Sequence, residues 1–130
     1  MKILRREVVL MRDQTFVADA QSVVLPSKLT DQDSEFVLLV KVAKSGTPPA
    51  LSYIWVKPRF VDDQGNAYRM VDESLGDLII EVTGVPDGYA VRGKCVGKEI
   101  QVIVVAGGTL STSNYFTVNA RLQFYGESEG

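Results

Sequence analysis

Strict alternation of apolar and polar residues is the feature that most limits what this chain can fold into. Between Asn114 and Phe124, residues Phe116, Val118, Ala120, Leu122 and Phe124 share one parity, and Thr117, Asn119, Arg121 and Gln123 share the other. That is the period of an extended strand, not of a helix, and it predicts a strand with one wet face. Glu35 to Ala43 sets Phe36, Leu38, Val40 and Val42 against Glu35, Val37, Leu39 and Lys41. Its second face is apolar at the centre and charged at the ends, so this strand is expected to be covered on both sides for part of its length. Leu51 to Val61 places Ile54, Val56 and Phe60 on one face and Leu51, Tyr53 and Trp55 on the other, a β-branched and aromatic set that asks for cover twice. Pro58 lacks a backbone donor and predicts an edge position or a bulge near the end of that strand.

Further short strands are expected at 2–10, 16–24, 67–71, 78–82, 89–95, 99–105 and 109–112. Turn chemistry separates them: Pro26-Ser27, Ser45-Gly46-Thr47-Pro48-Pro49, Asp62-Asp63-Gln64-Gly65-Asn66, Gly84-Val85-Pro86-Asp87-Gly88, Gly97 and Gly107-Gly108. No amphipathic helical period competes, and one helical turn near Asp72 to Leu75 is the only helix the pattern admits. Eight to ten short antiparallel strands at this spacing predict an all-β fold, a single-domain β-sandwich or jelly roll. The chain shows no internal repeat and no linker. Residues 1–125 are expected to form the domain, and Gly126-Glu127-Ser128-Glu129-Gly130 a flexible acidic tail.

At 130 residues the chain can bury a core of its own without cross-links. Fourteen basic residues against sixteen acidic ones give a net charge of −2, which argues against generic nucleic-acid binding, since that needs a positive field to replace phosphate counterions. Charges at Lys2, Arg5, Arg6 and Glu7 interrupt what would be the apolar region of a secretion signal. No apolar run approaches the roughly 20 residues that span a bilayer. No membrane partner is therefore expected.

Catalytic chemistry finds few candidates. The chain has no histidine, which removes serine and cysteine triads of the usual form together with histidine metal sites. The single cysteine, Cys95, rules out an intrachain disulfide and is expected to be a half-buried structural thiol. Asp62 with Asp63, and Asp72 with Glu73, are adjacent carboxylates, but neighbours in sequence are poor evidence for two carboxyls held across a substrate cleft. Asp31, Asp33 and Glu35 alternate just before a strand and could turn their oxygens to one side around a calcium ion, although the pattern lacks the length and glycine of a helix-loop-helix site. Gly107-Gly108-Thr109 and Ser45-Gly46-Thr47 lack the lysine-bearing context of a phosphate cradle and are expected to be turns. Lys2, Arg5 and Arg6 form a small basic cluster in which Arg5 and Arg6 should face opposite ways. That suits a polar strand near an edge or interface. Tyr53, Trp55, Tyr68 and Tyr89 could form an aromatic platform for sugars, though packing between sheets is the commoner use of such residues. On this reading there is no catalytic, cofactor-binding or metal-binding residue, and no cofactor.

The run Phe36-Val37-Leu38-Leu39-Val40-Lys41-Val42, the turn Ser45-Gly46-Thr47-Pro48-Pro49 and the strand end Phe60-Val61-Asp62-Asp63-Gln64-Gly65-Asn66 resemble small β-sandwich structural proteins of tailed bacteriophages. In those proteins an apolar strand, a Ser-Gly-Thr-type turn and a strand closing on an Asp-Gly turn follow one another. The resemblance covers about a quarter of the chain, from Glu35 to Asn66. It implies a virion component, made in the host cytoplasm: a capsid decoration or cement protein, or a minor head or tail subunit. It also implies protein partners, capsid or tail subunits, and a homo-oligomer. A binding module for carbohydrate or another cell-surface ligand is the alternative, and an enzyme is not expected.

Overall fold

The computed structural model describes residues 2–46, 52–70, 80–83 and 87–127, of which 80–83 and 87 are described by their backbone alone. Nine strands lie within them: β1 (Lys2–Phe16), β2 (Ser22–Lys28), β3 (Glu35–Ser45), β4 (Tyr53–Val61), β5 (Ala67–Arg69), β6 (Ile80–Thr83), β7 (Asp87–Lys94), β8 (Glu99–Gly107) and β9 (Tyr115–Glu127). No helix occurs among the described residues. The expected helical turn at 72–75 lies outside them.

The strands form two antiparallel sheets, ordered β1-β9-β3-β7 and β2-β8-β4-β5, with β6 also pairing with β4. The pairings are nested. β1 pairs with β9, β2 with β8, β3 with β7 and β4 with β6, so the chain folds as one long hairpin wound around itself. That winding is a jelly roll, eight strands in two sheets with the three-residue β5 as an addition. The sequence expectation of a sandwich or jelly roll is met, and the topology selects the second.

Alternation decides which side chains enter the core. Phe36, Leu38, Val40 and Val42 of β3 and Phe116, Val118, Leu122 and Phe124 of β9 are all buried, facing Ile54, Val56, Ile100, Val102 and Val104 from the other sheet. Phe36 and Phe60 meet edge to face between the sheets, with ring centroids 5.8 Å apart and planes at 73°. The apolar second face expected for the strand at 35–43 is also present: Val37 is buried although its neighbours in parity point outward.

Several boundaries differ from the sequence expectation. The chain is one strand from Lys2 to Phe16, because register shifts at Leu4/Arg6, Val9/Met11 and Met11/Gln14 absorb the irregularities that local pattern reads as breaks. The strand expected at 16–24 is divided by a turn in which Ala20 has φ 63°; Ala18-Asp19-Ala20 carries neither glycine nor proline to announce it. Pro26-Ser27, expected as a turn, lies inside β2. This is tolerated because β2 is the outermost described strand of its sheet, where a missing donor costs no ladder bond. Pro58, by contrast, is not in an edge strand: β4 pairs with β8 on one side, and on the other Pro58 falls between the stretches paired with β6 (53–56) and with β5 (59–61). Asp87 and Gly88 belong to β7, and 109–112 is not a strand. Gly126 and Glu127, assigned by sequence to the tail, continue β9 opposite Ile3 and Lys2; 128–130 lie outside the described residues. The glycine turn at Gly97 is as expected. Its φ is +76°, and a side chain there would meet the Val61 carbonyl oxygen at 2.6 Å.

Candidate functional site

The carboxylates that sequence grouped as a possible ion site are not gathered. Asp33 turns inward, with only 1% of its side chain accessible, and its Oδ2 accepts hydrogen bonds from Arg6 Nη2 at 2.6 Å and from the Thr30 amide at 2.9 Å. Burial opposes ionisation of this carboxyl, but the Arg6 and Thr30 hydrogen bonds and the Arg6 charge outweigh it and hold its pKa below the ordinary value. No group of three acidic or cysteine side chains among the described residues is placed to hold a metal ion. Arg6 also donates to the Lys28 carbonyl at 2.7 Å and lies 4.1 Å from the centroid of the Phe124 ring. Arg5, expected on the opposite face, hydrogen-bonds Gln32 in the same loop. The register shift between Leu4 and Arg6 accounts for this. The basic cluster thus fastens the 30–33 loop, and Arg6 and Asp33 close one end of the sandwich.

Asp62 is likewise occupied by folding. Its carboxylate accepts from the amides of Asn66 and Gln64, each at 2.9 Å, and from the Tyr68 hydroxyl at 3.0 Å, clamping the β4–β5 hairpin. The Asn66 amide first, then Gln64 and Tyr68, lower its pKa. Asp72 and Glu73 lie outside the described residues. The Cys95 thiol is half-buried at the end of β7, and burial, followed by the Asp33 charge, pushes its pKa up to about 11. A thiol so protonated is a poor nucleophile.

Of the four aromatic residues only two come together. Tyr53 and Trp55 stack on the outer face of the second sheet, centroids 4.6 Å apart at 26°, and Lys57 Nζ lies 4.8 Å from the indole centroid. Tyr68 is on β5, and Tyr89 is on the other sheet against the core. The same outer face carries a polar chain, Arg59 Nε to Gln101 Oε1 at 2.7 Å and Gln101 Nε2 to Glu99 Oε2 at 3.0 Å.

The outer face of the first sheet is different. A trough of 610 Å³ crosses it. Its floor is one rung of the ladder, in which Val9 of β1, Arg121 of β9, Leu39 of β3 and Ala90 of β7 lie side by side. Four adjacent strands make that rung about 14 Å wide. Val9 is 48% exposed and Leu39 half-buried. Arg12 and Lys41 stand at the rim. Arg12 is put there by the bulge before Gln14, where Asp13 adopts φ 50° and exchanges hydrogen bonds with Asn119, at 2.8 Å to its amide and 3.2 Å to its carboxylate. Glu7 is bound by Gln123 at 2.8 Å and Arg121 at 3.5 Å. Alternation does place Leu39, Lys41 and Arg121 on outward faces, but local pattern cannot say that strands more than twenty residues apart will bring them onto neighbouring rungs.

No protein-family model matches the sequence, and no curated protein matches it. Among solved structures, the chain superposes on a chain of the structure of infectious bursal disease virus, Gx strain, with a TM-score of 0.62 at 11% sequence identity. The two share a fold. The superposition covers 100% of this chain and 33% of the viral one, so this chain spans about a third of its neighbour's length. At such low identity the similarity transfers architecture and no residue roles.

Proposed function

We propose that the chain is a non-enzymatic structural subunit of a virion, a capsid decoration or cement protein or a minor head or tail protein of a tailed bacteriophage. The observation that carries this reading is the whole-chain likeness of its jelly roll to a chain of a virus structure. Jelly rolls recur in viral capsids and also in lectins, so the surface must weigh between them. The absence of histidine, the protonated Cys95 thiol and the use of Asp33 and Asp62 in folding leave little for catalysis and favour a role in assembly. The phage assignment rests on the resemblance of residues 35–66.

A carbohydrate-binding module is the second reading, and the Tyr53–Trp55 pair is what favours it. Tyr53 and Lys57 flank Trp55 from either side along β4, so the indole has little free face on which a pyranose could stack. Density-gradient centrifugation of a lysate containing the assembled particles tests the first reading. The chain is expected to band with the particles and to resist a high-salt wash. Recovery only at the top of the gradient contradicts it.

A further inference from the structure

A subunit of an assembly needs a surface that holds its partner, and the two outer faces differ in how far their side chains satisfy one another. On the second sheet, Arg59, Gln101 and Glu99 form a closed chain, and Tyr53, Trp55 and Lys57 a closed stack. In the trough on the first sheet the single carboxylate, Glu7, is engaged by Arg121 and Gln123. Arg12 and Lys41 are exposed and have no ion-pair partner among the described residues, in a chain whose net charge is −2. Both lie beside Asn119, next to the rung that forms the floor, where Val9, Leu39 and Ala90 present apolar side chains around Arg121.

We infer that this trough is a docking site for a short acidic and apolar segment of a partner protein. The inference rests on the reading of the chain as an assembly subunit and names the chemistry of what it grips. Apolar side chains of such a segment cover Val9 and Leu39, whose exposed area is otherwise unfavourable, while its carboxylates reach Arg12 and Lys41 at the rim. A width of about 14 Å accepts four or five residues in extended form, at about 3.3 Å each. The net charge of −2 disfavours a single-stranded nucleic acid as the occupant.

The test is a titration of the isotopically labelled full chain with an acetylated heptapeptide of alternating glutamate and leucine, followed by amide NMR. Saturable shifts are expected at Val9, Leu39, Ala90 and Arg121, weakening as salt is raised. The double variant Arg12→Glu, Lys41→Glu is expected to bind about tenfold more weakly, and a peptide with serine in place of leucine to lose binding. Both substitutions are at exposed side chains, so an unchanged spectrum away from the trough verifies the fold. Absent or scattered shifts, full binding by the double variant or by the serine peptide, or stronger binding of a single-stranded oligonucleotide each overturn the proposal. Loss of peptide binding in a chain that still assembles rejects the trough alone. A chain that binds the peptide at the trough but never enters an assembly rejects the subunit reading instead.

Discussion

Arg6 and Asp33 tie the two sheets at one end of the sandwich. Arg6 comes from β1 of the first sheet, yet it donates to the Lys28 carbonyl on β2 of the second and to Asp33 in the loop between β2 and β3. Because the Asp33 side chain is 1% accessible, removing its charge leaves Arg6 facing a neutral partner in a partly dry site. Asp33→Asn is expected to destabilise the chain by about 2 kcal/mol, less than the loss of a fully buried pair because Arg6 remains one-third open to solvent. The carboxyl titrates below its ordinary 3.8 in the fold. The contribution of the ionised form is therefore complete above that value and is lost as pH falls through the lower, folded one. Thermal unfolding of the two proteins should differ at pH 7 and converge toward pH 2; a difference that persists undiminished in acid contradicts the assignment. Asp33 was visible in sequence only as one of three alternate carboxylates. Its true partner lies 27 residues away in the chain, and a register shift turns Arg6 toward it, which no local spacing reveals.

At the scale of elements, position in the sheet decides what each strand tolerates. β9 lies between β1 and β3 in its sheet, and Leu122 on its inner face is fully buried. β2 is the outermost described strand of the other sheet, holds Pro26, and leaves Val24 45% exposed. Leu122→Ala should cost about 2–5 kcal/mol in urea denaturation, and Val24→Ala no more than about 0.5 kcal/mol. Comparable losses at both sites would contradict the assigned burial. The alternation in 114–124 and 35–43 made β9 and β3 legible with their inward faces correct, because a two-residue period is a local property. Pro26 misled for the same reason: local chemistry marks it as a turn, whereas the sheet's outer position makes it harmless. The three shifts in β1 and the turn at Ala18 to Ala20 depend on what the strand pairs with and were not legible.

For the whole molecule, nested pairing converts a chain of short strands into two stacked sheets, each with one inner and one outer face. Sequence limited the fold to a sandwich or a jelly roll, and only the pairing of β1 with β9 and β2 with β8 distinguishes them. The trough was illegible because its floor draws one residue from each of four strands. On the proposed reading this molecule is a self-associating subunit of an assembly, and light scattering of the purified chain over a concentration series, with and without a chelator, measures that property itself. A homo-oligomer of fixed number, indifferent to the chelator, is the predicted result; a monomer at every concentration would contradict it.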